Sequence, residues 1–412
     1  MSFTDAAPEP IAFGERLRIL RVRRGMSRPV LAGLLGRSPS WLKQVERGEI
    51  HTPPLPMVLR IAEVLRVRNL SDLTGDQSMP VDLFVGPGHP RLPEVRAAVD
   101  AFPVAGTDRQ APDAAHLRAR LARAWSARHS APNHREVVGS MLPDLIRDAQ
   151  LAVGQADTGP ERRAAHAVLA EVYSLSQFFL AYQPDGALLW RVAERGMVAA
   201  QESEDPHTLG MAAWLAAEAH RDAGHYDGAD AVTLECLRHL EPHLADGGDD
   251  VLAMAGALRV AAGYTAARRG DTGAAWGWWD KADRIAQALP ADYYHPVTSF
   301  SRAVMGAHAV TLAVELHSGG ESVRQAARAD ARCIPSRPRR ARHRIEEARG
   351  YQLDGQSDTA LATLEKAHEN APETIRYNGY ARRIILEETE AKSPERRRRA
   401  SELAMKVGVL AV

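Results

Sequence analysis

The sequence predicts an all-α protein in two parts, a small basic head of five short helices and a long body of stacked helix pairs. Three observations predict it. In the first 75 residues, apolar side chains recur at helical spacing between serine starts and glycine stops. From about Ala111 onward, a glycine followed five residues later by an alanine recurs between Ala-rich amphipathic segments. The 412 residues carry no net charge, yet Ile11–Arg68 holds twelve Arg and Lys against four acids. A head of +8 on a body of −8 points to a polyanionic partner for the head.

The head reads element by element. IAFGERLRILRVRRG places Phe13, Leu17 and Leu20 on one face and stops at Gly25. SRPVLAGLLG starts at the N-cap candidate Ser27 and stops at Gly36. SPSWLKQVERG starts at Ser38, with Pro39 at the first helical position, where the missing N–H costs nothing, and stops at Gly48. LPMVLRIAEVLRV follows the Pro53–Pro54 breaker, and LSDLTG makes a last turn. These elements span a domain at residues 1–75.

Residues 76–110 are rich in Pro and Gly and read as a linker with a short helix around Pro93–Ala101. Gly86 and Gly88 do not make a dinucleotide loop, because no third glycine follows at the required spacing. Residues 111–412 form the repeat body. Its turns are Gly224 to Ala229, Gly270 to Ala275 and Gly355 to Ala360, closed downstream by Pro242, Pro290 and Pro372. Weaker copies end at Ala187 and Ala326. One helix pair cannot bury its apolar face alone, but a stack of five or more can.

Several function classes are set aside. There is no Walker loop, HExxH, paired-Cys motif or Gly-x-Ser-x-Gly elbow, so no catalysis and no cofactor are expected. His239 and His243 share a helix face without a third ligand, so no metal site is expected. No apolar run approaches a membrane span and MSFTDAAPEP lacks the pattern of a signal peptide, which suggests a cytoplasmic protein with no membrane partner. Two cysteines, Cys236 and Cys333, suit a reducing compartment. A composition rich in Ala, Arg and Gly fits a bacterial source.

The segment 25-GMSRPVLAGLLGRSPSWLKQVERG-48, followed by LRIAEVLRV, resembles the helix-turn-helix domain of phage-repressor-type (Xre/Cro-like) regulators. Leu31, Ala32, Gly36, Glu46 and Gly48 carry the resemblance. It implies that Ser38–Arg47 is a recognition helix lying in the major groove of double-stranded DNA. Pro39, Ser40, Lys43 and Gln44 then take the groove-facing positions. Lys43 suits guanine, Gln44 suits adenine, and Pro39 and Trp41 suit a thymine methyl or a sugar. Arg28, Arg37 and Arg47 take positions that meet phosphates, and Ser38 opens the helix beside them. Leu42 and Val45 face the core, and Arg21 and Glu46 match a structural ion pair. The repeat body is expected to make a homodimer, which would place two recognition helices about one helical turn, or a multiple of it, apart on a near-palindromic site.

The body resembles tetratricopeptide repeats, whose first helices line a concave face. Registering on the turn glycines gives Phe179, Trp214, Glu218, Arg221, Tyr264, Arg268 and Arg349 as candidate contacts for a peptide or small-molecule effector. Families that sense peptides clamp them with asparagines, and none of Asn133, Asn370 and Asn378 falls on that face, which weighs against a peptide. Trp279 reads as core, and Trp276 or Trp278 as exposed. The basic runs 335-PSRPRRARHR-344 and 396-RRRR-399 read as solvated faces. The reading is a sequence-specific DNA-binding transcriptional regulator with a dimerising, sensing body. The alternative is an interaction scaffold working through its repeats.

Overall fold

The computed structural model describes residues 12–50, 52–53, 55–67, 70–74, 88–101 and 109–409. Among them the chain is helical, with no strand. The head helices are α1 (Phe13–Arg23), α2 (Arg28–Leu34), α3 (Pro39–Glu46), α4 (Leu55–Val64) and α5 (Ser71–Thr74). Next come α6 (Leu92–Asp100), α7 (Ala114–Ser130) and α8 (His134–Gln155). Five pairs follow: α9 (Gly159–Leu180) with α10 (Gly186–Ser203), α11 (Pro206–Asp222) with α12 (Tyr226–Leu240), α13 (Gly248–Arg269) with α14 (Thr272–Ala288), α15 (Arg302–Glu315) with α16 (Gly319–Arg328), and α17 (Arg337–Leu353) with α18 (Ser357–Asn370). The last helices are α19 (Pro372–Tyr377), α20 (Gly379–Glu388) and α21 (Pro394–Val407).

The linker helix expected around Pro93–Ala101 is α6. The rest of the 76–110 linker, including Gly86, falls largely outside the described residues, as does the N-terminal MSFTDAAPEP.

The helices gather into two compact units, Met1–Gly86 with Gly379–Val412, and Pro87–Asn378. This departs from the sequence division in two places, the first being α6, expected in a linker but packed on α8 within the repeat unit. Helices α20 and α21, read as the end of the repeat body, belong with the head, where α20 packs on α4. Two ion pairs join these helices: Arg60 of α4 meets Glu387 of α20 at 2.6 Å, and Glu63 pairs with Arg383. Nothing in local periodicity reports such pairings.

Within the repeat unit, the first helices of successive pairs pack on one another from α9 through α11, α13 and α15 to α17. This is the stacking of a helical-repeat solenoid. Three turns use the glycines singled out by the sequence, with φ of 69°, 84° and 80° at Gly224, Gly270 and Gly355. In each, the next residue donates its N–H five residues back: His225 to His220, Asp271 to Ala266 and Gln356 to Tyr351. That closure requires a left-handed residue, which glycine adopts without cost. The fourth turn has no glycine there. His317 takes φ 56° and Ser318 closes on Ala313, which is why this copy is weak in sequence. The alanines after the turns, Ala229, Ala275 and Ala360, are fully buried where paired helices approach. Ala187 departs from this pattern. It is exposed, and Leu188 is the buried residue of that turn.

Candidate nucleic-acid interface

The head presents α3 as a capped, clamped helix. Ser38 Oγ accepts the Trp41 N–H at 3.1 Å, and Ser27 Oγ caps α2 by accepting the Val30 N–H at 3.4 Å. Gly36 has φ 64°, and the Arg37 N–H closes on Ala32 at 2.9 Å, setting the turn between α2 and α3. Leu42 and Val45 are buried with Leu17, Leu31 and Ile61, as their spacing requires.

One carboxylate fixes the back of α3. Glu46 is buried, and it takes Arg21 Nε at 2.5 Å and Arg28 Nε at 2.6 Å. Arg21 also donates to the Met26 carbonyl at 2.8 Å. The Arg21–Glu46 pair implied by the resemblance is therefore formed. Arg28, assigned to a phosphate, is anchored to Glu46 and keeps only part of its side chain in solvent. Gly14 was not singled out by the sequence. A Cβ there would stand 2.2 Å from the Val45 carbonyl oxygen, so α1 crosses the end of α3 at a separation only glycine permits.

The opposite face is open. Arg37, Ser38, Pro39, Ser40, Lys43, Gln44 and Arg47 are exposed, and Trp41 is half-buried with the Arg37 guanidinium over its ring at 5.6 Å. Arg47 lies 3.5 Å from Glu49. Among the described residues Lys43 and Gln44 have no side-chain partner. The seven exposed side chains are therefore displayed together on one helix and its flanks, next to a buried face that cannot rotate.

The candidate effector contacts are brought together, with one exception. Arg221 lies over the Tyr264 ring at 5.5 Å and pairs with Glu218. Arg268 meets Glu315 at 2.9 Å, and Arg349 meets Glu315 at 2.8 Å and Glu346 at 2.7 Å. Glu315, which sequence reasoning missed, is the buried residue joining three repeats. The charges of these arginines are thus met inside the chain. Phe179 is the exception. It is buried against His89, and Phe178 is the ring beside Trp214, at 6.2 Å. The tryptophan cluster is half-buried throughout: Trp279 donates to the Met305 carbonyl at 3.2 Å, Trp276 stands edge-on to it, and Lys281 caps Trp278.

His239 and His243 are exposed, and no group of three metal-ligating side chains occurs among the described residues. No helix among them is long and apolar enough to cross a membrane.

The geometry of α1 to α4, with α3 outward and α2 braced behind it, defines a helix-turn-helix DNA-binding domain. A family model described as a helix-turn-helix domain matches residues 12–70. No curated protein and no solved structure matches the chain.

Proposed function

We propose that the chain is a sequence-specific, DNA-binding transcriptional regulator of the Xre/Cro type. In this reading α3 enters the major groove, Lys43 and Gln44 read bases, and Arg37 and Arg47 meet phosphates. The repeat unit, of the tetratricopeptide kind, dimerises and couples an effector, peptide or small molecule, to DNA affinity. The protein works in the cytoplasm without catalysis. The observation that carries the reading is the exposed row Ser40, Lys43 and Gln44 on a helix whose other face is locked by Glu46.

The test is selection of bound sequences from random duplex DNA by the full-length protein at two salt concentrations. A regulator enriches a two-fold-symmetric motif whose half-sites are spaced by about one helical turn or a multiple of it. Binding that lacks a motif and vanishes with salt is charge-driven only and refutes the reading.

A further inference from the structure

The basic run 335–344 is not a solvated face. Arg342 and His343 turn inward, and Arg339 reaches His308 Nδ1 at 3.4 Å. That nitrogen already accepts the Tyr264 hydroxyl at 2.6 Å, so it does little for the Arg339 charge. Arg128 of α7 comes to the same region. Its Nε and Nη1 are buried with no hydrogen-bond acceptor, and its guanidinium stacks on Phe178, 4.3 Å from the ring centroid.

Among the described residues neither Arg128 nor Arg339 has an ion-pair partner. Arg135 and Arg339 act on Arg128 with charge of its own sign, and the Tyr294 hydroxyl offsets them only in part. Burial and the two arginines lower it to about 10, so it stays charged at neutral pH. A guanidinium edge withdrawn from water without a counter-charge is unfavourable, and a ring face compensates only part of it.

The surroundings are aromatic and reach the surface. Rings run from Trp214 to Phe178 (6.2 Å), Trp125 (5.6 Å), His129 (6.0 Å) and Tyr294 (6.0 Å). Both guanidiniums are near enough to act on the Tyr294 hydroxyl. Tyr294 also lines an open pocket of about 320 Å³, with His129, Ser336, Arg337 and Arg340 around it. Arg128, Arg339, Phe178 and Trp214 stand outside that lining, and each is half-buried. Arg337 is exposed at the rim of the pocket.

We propose that the junction of α7 and α17 is an anion site that takes the carboxylate of a ring-bearing small molecule. Arg128 and Arg339 supply the positive charge, and Phe178, Trp214 and Tyr294 the walls. A planar carboxylate matches a guanidinium fork, and the rings receive an apolar body. A bare phosphate would leave that aromatic surface unused. The site deepens the sensing role proposed above, on which it rests for its consequence at DNA, by naming the effector's class.

The experiment is calorimetric titration of the full-length protein with phenylacetate, cyclohexanecarboxylate and inorganic phosphate at constant ionic strength. The carboxylates bind saturably, and Arg128→Met and Arg339→Met each weaken them by about 10- to 100-fold, the loss of one charge-assisted hydrogen bond. The unfolding temperature of ligand-free Arg128→Met is unchanged or raised, because the charge removed had no partner. A lowered unfolding temperature gives Arg128 a structural role and overturns the proposal. So does the absence of saturable binding, or binding untouched by Arg128→Met. Phosphate binding as tight as the carboxylates overturns the ring-bearing class. Since the readout needs no DNA, a protein that binds phenylacetate but selects no operator refutes the regulator and keeps the site. One that selects an operator but binds no carboxylate does the reverse.

Discussion

Arg60 of α4 and Glu387 of α20 meet at 2.6 Å across 327 positions of sequence, with 9% and 20% of their side chains exposed. The other arm of Arg60 donates to the Leu34 carbonyl at 3.2 Å, in the last turn of α2. One guanidinium therefore ties the C-terminal helices to the turn that presents α3. Glu387→Gln leaves Arg60 largely buried and unpaired. It should cost about 2 kcal/mol, below the full penalty of a completely buried pair because both groups keep some solvent. Urea unfolding of the full-length chain checks this, and a loss under about 0.5 kcal/mol would rank the contact with surface pairs.

Lys43 and Gln44 carry sequence preference and no stability in this reading. Lys43→Ala with Gln44→Ala should weaken binding to a selected site by about 1–3 kcal/mol per lost base contact, leaving non-specific affinity much less affected. Competition between selected and scrambled duplexes measures it. Equal losses on both duplexes would assign the two side chains to the DNA backbone.

Gly14→Ala should destabilise the head by about 1–3 kcal/mol, the usual range for overpacking. The new methyl meets backbone oxygen, 2.2 Å from Val45, where no side chain can rotate away. The comparison variant is Gly33→Ala on α2, where a Cβ meets nothing within 4 Å. Thermal unfolding should separate the two, and an equal response would mean that α1 moves freely over α3.

Acid sensitivity has a named source in the repeat unit. His295 is fully buried, and its Nδ1 accepts the Thr298 N–H at 3.1 Å. Its Nε2 therefore carries the proton and donates to His207 Nε2 at 2.8 Å. Burial, then the neighbouring His207, push the His295 imidazole down to about 3. The unfolded chain takes up this proton near 6.5, so between pH 6.5 and about 3 the unfolded state binds more protons. Stability is full above pH 6.5 and falls as pH drops through that window, by about 3 kcal/mol from this group at pH 4. His295→Gln should flatten that limb in unfolding measured from pH 7 to pH 4. An unaltered slope would move the effect to His129, which burial lowers to about 4, and to His308.

What the residues alone determined was local. Ser38 and Gly48 bound α3 because a cap and a left-handed stop each act within one turn of helix, and Leu42 and Val45 faced the core by their spacing alone. The turn glycines located the helix pairs for the same reason, and the one pair with His317 at the turn was correspondingly faint. The Arg21–Glu46 pair was legible only through a resemblance, since 25 positions separate its members. Tertiary structure decided everything that depends on which helix meets which. Stacking of α13, α15 and α17 made Glu315 the shared partner of Arg268 and Arg349. The roll of α9 turned Phe178, not Phe179, toward Trp214. Pairing across 327 positions brought α20 back to α4, and packing left the Arg128 Nε and Nη1 buried without an acceptor. Periodicity marks the buried face of a helix, but the chemistry on that face is set by neighbours whose identity depends on how the helices stack.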